Sequence, residues 1–340
     1  MSMKSMLYWS LALLVLAVAS SGFAEEAPAF AANRLLAPGV NYGNVLEASP
    51  PEGWGLKVNE ADFKAVAAAG FKSIRIPVRW SARAAKTAPY TIEPAFFALV
   101  DKAVNAALKN NLSVVLNMHH YDELFSDPRG NRDRMMGLWK QIAPHYAKYP
   151  STLFFEILNE PHDKLTVELW NAYYKQALGI IRETNPNRTV IVDAAAWGGA
   201  DGLKDLNFVG GDKNLIYSFH HYAPFHFTHQ GADWVGPESK KWLGTQWLGR
   251  PTDIEEIDKE FKKAANFSKH YNTPIYMGEF GAYKMGDTAS RRRWTAAIVK
   301  LSQRYGFSYA YWELKSDGFG IYDEKTGKWN IPVRDALLGK

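Results

Sequence analysis

A chain of 340 residues, 47% of them hydrophobic, can bury one large core or two smaller ones. The absence of cysteine excludes a disulfide framework, a thiolate metal site and a thiol nucleophile. Forty basic residues against 35 acidic ones are interspersed along the chain and form no stripe of the kind nucleic-acid binding uses.

Residues 1–24 read as a secretory signal. Lys4 precedes an apolar run from Met6 to Ala19, and Gly22-Phe23-Ala24 offers a small-residue cleavage site before Glu25. The run falls short of the ~20 apolar residues a membrane span requires. Secretion to the periplasm or medium, with no membrane attachment after cleavage, is the expectation. The Pro/Ala-rich stretch 25–33 is expected to be a mobile leader.

From residue 34 to 340 the pattern is that of a single domain. Short apolar runs occur at Pro38–Gly43, Ser73–Val78, Leu112–His119, Leu153–Glu160, Thr189–Ala194, Asn214–Tyr222, Pro274–Phe280 and Ser308–Leu314. Helical periodicity lies between most of them, at Glu60–Ala69, Pro94–Asn110, Arg132–Tyr146, Thr166–Asn185, Asp253–Tyr271 and Ser290–Tyr305. After the fifth run the only candidate is the short Gly202–Leu206, and Val333–Leu338 would close the ring. Strands alternating with helices pair in parallel, and eight repeats predict an α/β fold of the (β/α)8 TIM-barrel type. An open doubly wound sheet would want a glycine-rich phosphate loop after an early strand, which Gly43 alone does not supply. Arg291-Arg292-Arg293 reads as a solvated helix face. The loop from Ala223 to Thr252 exceeds ordinary barrel connections, a length associated with function.

Polar side chains gather where the apolar runs end. Phe154-Phe155-Glu156-Ile157-Leu158-Asn159-Glu160-Pro161 finishes in an amide and a carboxylate, and Pro274-Ile275-Tyr276-Met277-Gly278-Glu279-Phe280 finishes near a second carboxylate. A buried strand has no structural need for these groups, whereas barrel active sites are built at the C-terminal rim. Two carboxyls on two strand tails are the layout of glycoside hydrolysis. Asn159 and Glu160 are neighbours yet both are wanted in the site, so a bulge or the start of a loop must break the alternation there. Seven of the nine histidines (119, 120, 162, 220, 221, 226 and 229) lie at or just beyond strand ends. Alternation predicts that one member of each His-His pair points inward, with Tyr222 on the face of His220.

Arg75 lies between two isoleucines in Ser73-Ile74-Arg75-Ile76, which turns its guanidinium into the barrel, where it needs an anion. Glu279 is one candidate; Arg75 and the Tyr222 hydroxyl would then keep it ionised as a nucleophile. Glu160, without a cation, would stay protonated as the acid. A structural pair between Arg75 and Glu156 is the competing reading. The first strand is followed by Asn41-Tyr42-Gly43-Asn44 in place of a His-x-His pair, so no metal or other cofactor is expected. Trp312 ends the eighth run, where a flat indole can stack on a pyranose. Trp54, Trp80, Trp197, Trp234, Trp242 and Trp247 fall in loops, as sugar platforms or loop anchors, whereas Trp139, Trp170 and Trp294 fit core positions in helices.

Taken together, these motifs resemble glycoside hydrolase family 5, in its secreted cellulase-type members, from about Pro38 to Asn330. The resemblance implies that Glu160 of Asn-Glu-Pro is the acid/base and Glu279 of Gly-Glu-Phe the nucleophile. It implies that Arg75 and Tyr222 support the nucleophile, that Asn159 binds a sugar 2-hydroxyl, and that His119, His120 and His220 line the same subsite over Trp312. Asn41-Tyr42-Gly43-Asn44-Val45-Leu46-Glu47-Ala48 and Phe227-Thr228-His229-Gln230-Gly231-Ala232 are similar to an endoglucanase subgroup with some members that also cleave β-mannan. By that likeness Asn44, Glu47, His229 and Trp234 would touch neighbouring sugars, and the loop Lys315–Phe319 is one residue longer than in those relatives. The implied protein is a monomeric retaining endo-β-1,4-glucanase acting on β-glucan, with endo-β-1,4-mannanase or dual activity as the alternative. A binding protein with a decayed site is the remote one.

Overall fold

The computed structural model describes residues 26–48 and 55–340; the expected signal segment and Trp54 lie outside them. Eight strands, β1 (Gly39–Asn41), β2 (Ser73–Ile76), β3 (Ser113–Asn117), β4 (Leu153–Glu156), β5 (Val190–Asp193), β6 (Leu215–His221), β7 (Ile275–Phe280) and β8 (Ser308–Tyr311), close into a parallel barrel in chain order. Each observed strand falls within its expected run. Helices α1 (Pro28–Asn33), α2 (Glu60–Ala69), α3 (Pro94–Lys109), α4 (Asp122–Ser126), α5 (Pro128–His145), α6 (Val167–Thr184), α7 (Phe225–Thr228), α8 (Pro251–Tyr271), α9 (Thr288–Tyr305) and α10 (Ile331–Leu337) complete the single domain. Only a short 3₁₀ turn, Ala200–Asp205, follows β5, as the weak signal there implied.

Local chemistry sets the helix ends. The Asn59 side chain accepts from the Ala61 N–H to start α2, and Asp287 accepts from the Ser290 N–H to start α9. Gly70 and Gly306 end those two helices in the left-handed conformation.

The strand pleat sorts the side chains. Ile74, Ile76, Val114 and Leu116 join the large core between barrel and helices, while Val115, Phe154, Ile191, Ile216, Tyr276 and Ala310 fill the barrel interior. Above that inner layer the register sets Asn117 beside Glu156, so polar groups begin one pleat from the rim. The β6–β7 register also shifts, pairing Phe219 with Met277 and His220 with Glu279, which leaves Gly278 as the extra residue.

The described part of the expected mobile leader, residues 26–33, contains α1 and closes the bottom of the barrel. Ala29 and Leu36 pack onto the interior layer, and buried Asn33 donates to the Ile275 carbonyl (3.1 Å) and accepts from Ser308 Oγ (2.5 Å). Short side chains looked like disorder in sequence, but at a barrel floor small residues fit. The triple-arginine reading also changes, because Arg291 is buried and Arg293 donates to the Trp247 carbonyl, leaving Arg292 exposed. Asn33→Ala strands two buried polar partners, so urea denaturation should show a loss of about 1–3 kcal/mol; an unchanged midpoint would show that the floor contributes no stability.

Candidate active site

Arg75, fully buried on β2, uses all five N–H groups. Nε and Nη2 grip Glu156 (2.7 and 2.6 Å), Nη2 also reaches Asn159 Oδ1 (2.6 Å), and Nη1 donates to Asn41 Oδ1 (2.8 Å) and Glu279 Oε1 (2.6 Å). The two readings of this arginine are therefore both present: it forks onto Glu156 and still holds Glu279. Burial opposes its charge, but Glu156 and Glu279 raise its pKa well above the ordinary value.

Glu279 sits on β7 with its second oxygen accepting from the Tyr222 hydroxyl (2.9 Å). Burial works against its charge, yet His220, Arg75 and Tyr222 hold its pKa below the usual carboxylate value. Tyr222 itself is pushed far up, by burial and then by Glu279, and stays a donor.

Glu160 lies four residues beyond the end of β4, so a loop, with no bulge in the strand, breaks the alternation. Its φ of 44° is left-handed, and its N–H is held by Asp193 Oδ2 at 3.1 Å. The expectation that Glu160 has no cation beside it is corrected: His220 Nδ1 is 2.7 Å from Glu160 Oε1. Burial disfavours charge on His220, but Glu279, Glu160 and Asp193 together push its pKa up to about 9. Carboxylate oxygens of Glu160 and Glu279 and a ring nitrogen of His220 all lie within 4.8 Å of one another.

As alternation predicted, His221 turns outward against Phe261 and Trp294. His119 lies parallel to Trp312 (5.5 Å between ring centres, 4°) and edge-on to His120. Burial, then His120 and Arg75, drives the His119 pKa well below the ordinary value, so it is neutral; Asn117 Nδ2 meets its Nδ1 at 3.1 Å.

The wall beside Trp312 is built on the loop after β1. A side chain at Gly43 would collide with Glu313 and the Trp312 ring, so only glycine lets that loop approach. Asn44, at φ 64°, donates through Nδ2 to Glu313 and through its backbone to Glu47. Glu47 has no exposed surface and also accepts from the Val45 N–H (3.1 Å), so it shapes this loop and does not present a carboxylate to a sugar. Burial raises Glu47 to about 8 and Glu313 to about 7.

 The loop 315–319 is anchored by buried Lys315, which pairs with Asp62 (2.6 Å) and Glu324 (2.5 Å).

His229 is packed behind Tyr222 and stacked on Phe225 at 4.0 Å, and burial lowers its pKa to about 4. It braces the wall on which Trp234 stands 62% exposed. Trp197, 57% exposed, stacks on His162 at 3.5 Å, whereas Trp80 and Trp247 are buried anchors. Sequence reasoning missed Asn41, Asn117, Asp193 and Glu313 as parts of this site. Asn117 and Asp193 carried the same signal as Asn159-Glu160, a polar residue closing an apolar strand.

A parallel barrel whose rim opposes two carboxyls, one held by an arginine and a tyrosine, defines the class of glycoside hydrolases. The match to the cellulase family, glycosyl hydrolase family 5, covers residues 38–318, and the chain belongs to that family. Endoglucanase H of Acetivibrio thermocellus is 33% identical over 311 residues, covering 90% of this chain, which spans 33% of that protein's length. Endoglucanase Cel5A from Thermotoga maritima, solved with cellobiose, superposes with a TM-score of 0.88 at 45% identity, over 91% of this chain and 99% of that one. The same protein was solved with mannotriose, at the same TM-score of 0.88 and 45% identity, over 91% and 99% of the two chains.

Removing Glu156 leaves the Arg75 fork without its bidentate anion in a dry interior. Glu156→Ala should cost roughly 3–5 kcal/mol in urea denaturation, and a loss under one would show that Glu279 alone satisfies the guanidinium.

Proposed function

We propose that this chain is a retaining endo-β-1,4-glucanase that cleaves internal linkages of cellulose-type and mixed-linkage glucans by double displacement. The observation that carries the reading is the approach of the Glu160 and Glu279 carboxylates to within 4.8 Å. That spacing fits the ~5–5.5 Å of retaining enzymes and leaves no room for the water that the ~6.5–9.5 Å of inverting ones admits.

Glu279, ionised between Arg75 and Tyr222, attacks the anomeric carbon while Glu160 gives its proton to the departing glycosidic oxygen. The ester that forms removes the charge from Glu279. Glu160 then takes a proton from water, the water oxygen attacks the anomeric carbon, and Glu279 leaves as a carboxylate. Asn159, fixed by Arg75, faces the 2-hydroxyl, and Trp312 floors the sugar being cleaved. Residues 1–24 support export of the enzyme to the periplasm or medium.

Mannan is the second reading, supported by the mannotriose complex of the Thermotoga maritima relative. Glucan and mannan differ in an equatorial or axial 2-hydroxyl at the cleaved sugar. Reducing-end release from carboxymethyl cellulose, barley glucan and glucomannan decides between them, and no release from any of the three would overturn the glycanase reading.

Glu160→Gln should lose about 10²–10⁴ in rate on unactivated oligosaccharides and far less in the burst on an activated aryl cellobioside. Equal losses on both would remove Glu160 from the acid role, and Glu279→Ala should be inactive on both. The lowered pKa of Glu279 keeps the nucleophile ionised below the ordinary 4.5, so activity falls only as pH drops through that depressed value. Tyr222→Phe deletes one bond to the anion, and its acid limb in kcat/KM should therefore move to higher pH; a limb that stays put would detach Tyr222 from the nucleophile.

A further inference from the structure

The buried carboxylate of Asp193 closes β5 and enters none of the steps above. Its Oδ2 accepts the N–H of Glu160 at 3.1 Å and lies 3.7 Å from Nε2 of His220. The other ring nitrogen of His220 meets the Glu160 carboxylate at 2.7 Å. One oxygen of Asp193 thus reaches Glu160 twice, directly at its backbone and through the imidazole at its side chain. We infer that Asp193 is a positioning residue that fixes the acid/base carboxyl and keeps its imidazolium neighbour charged. This rests on the reading of Glu160 as the acid/base.

Three observations support it. Glu160 is a non-glycine residue at φ 44°, a conformation that surrounding contacts must hold, and its N–H has no strand to join. Asp193 is completely buried and, among the described residues, has no lysine or arginine at salt-bridge distance, which is costly unless His220 supplies the cation. The β5–β6 register sets Asp193 beside Ser218, and a side chain at Gly278 would touch both His220 Nε2 (2.8 Å) and Ser218 Oγ (3.2 Å). Gly278, the extra residue of the β7 ladder, therefore lets the imidazole sit low enough to face Asp193.

The groups facing this pair are Arg75 from β2, His119 beyond β3, Glu156 and Glu160 from β4 and its loop, and Tyr276 and Glu279 from β7. Burial, then Glu156, pushes Asp193 up to about 7, while His220 stands at about 9. Between those values the two form an ion pair. A neutral group at 193 makes the imidazolium lose its proton at lower pH.

Asp193→Asn retains a carbonyl oxygen for the Glu160 N–H and removes only the charge; Asp193→Ala removes both. In Asp193→Asn the His220 midpoint, followed by imidazole ¹⁵N NMR and assigned with His220→Gln, should fall by about one unit, the low end for an opposite charge within ~4–6 Å. The alkaline limb of kcat/KM on cellotetraose should move in the same direction. Asp193→Ala should lose at least about tenfold in kcat relative to Asp193→Asn, each at its own optimum. A His220 midpoint and a pH profile that superimpose on the wild type would overturn the electrostatic part, and equal kcat in the two variants would overturn the pin. If Asp193→Ala does not fold, the NMR midpoint of Asp193→Asn decides alone. A wild type inactive on every glucan would sink the glucanase reading, and the His220 midpoint would still test the contact with Asp193.

Discussion

A guanidinium with no access to water governs this molecule. A buried cation of that size is tolerated only when each of its donors is met, and Arg75 meets five acceptor contacts on four different side chains. Those acceptors come from β1, β4 and its following loop, and β7, so one side chain ties distant staves of the barrel together. A lysine could not do so, since an ammonium has three donors and no planar fork. Glu156 takes the bidentate face, which leaves Nη1 to aim at Glu279. The structural pair and the counter-charge of Glu279 are thus parts of one network.

That network sets the electrostatics of everything above it. Two carboxylates, Glu156 and Glu279, surround one arginine, and His220 makes up the difference as a second cation. His220 and His119 sit on one rim yet have opposite states. His220 faces acids on both sides, whereas His119 faces His120 and Arg75 and stays neutral. Position relative to Arg75 and the carboxylates, more than residue type, decides which histidine is charged.

Much of this was legible in the chain. The period of the apolar runs located all eight strands, and the polar residues that end them located the rim. Arg75 between isoleucines and Glu279 after Met277-Gly278 could be read because one strand's alternation fixes which way a side chain points. What stayed hidden depended on several strands at once. The His220–Glu160 contact arises because the chain turns at Glu160 and β6 slips by one residue against β7, neither of which has a local signature. Glu47 was assigned to a sugar through the likeness of its motif to an endoglucanase subgroup; the folded loop shows both of its oxygens taken by backbone N–H groups. The helix at the floor was missed because a helix of six mostly apolar residues gains a place only when a barrel bottom exists to receive it.

The rim divides into two mechanical zones. Around the two carboxyls, Arg75, Asn159, Glu160, His220 and Glu279 are each held by at least one charged or short polar contact, which ties their positions together. Farther out, Trp197 and Trp234 are more than half exposed and are held chiefly by ring contacts to His162 and Tyr283. Transition-state chemistry is sensitive to displacements of an ångström, whereas stacking of a pyranose on an indole tolerates a shift along the ring face. A site built this way holds one geometry around the two carboxyls, while the flanking aromatic surfaces can yield without disturbing it. The contrast in stiffness lies between the buried charge network and the aromatic rim, and a shift in the rim leaves the carboxylates where they are.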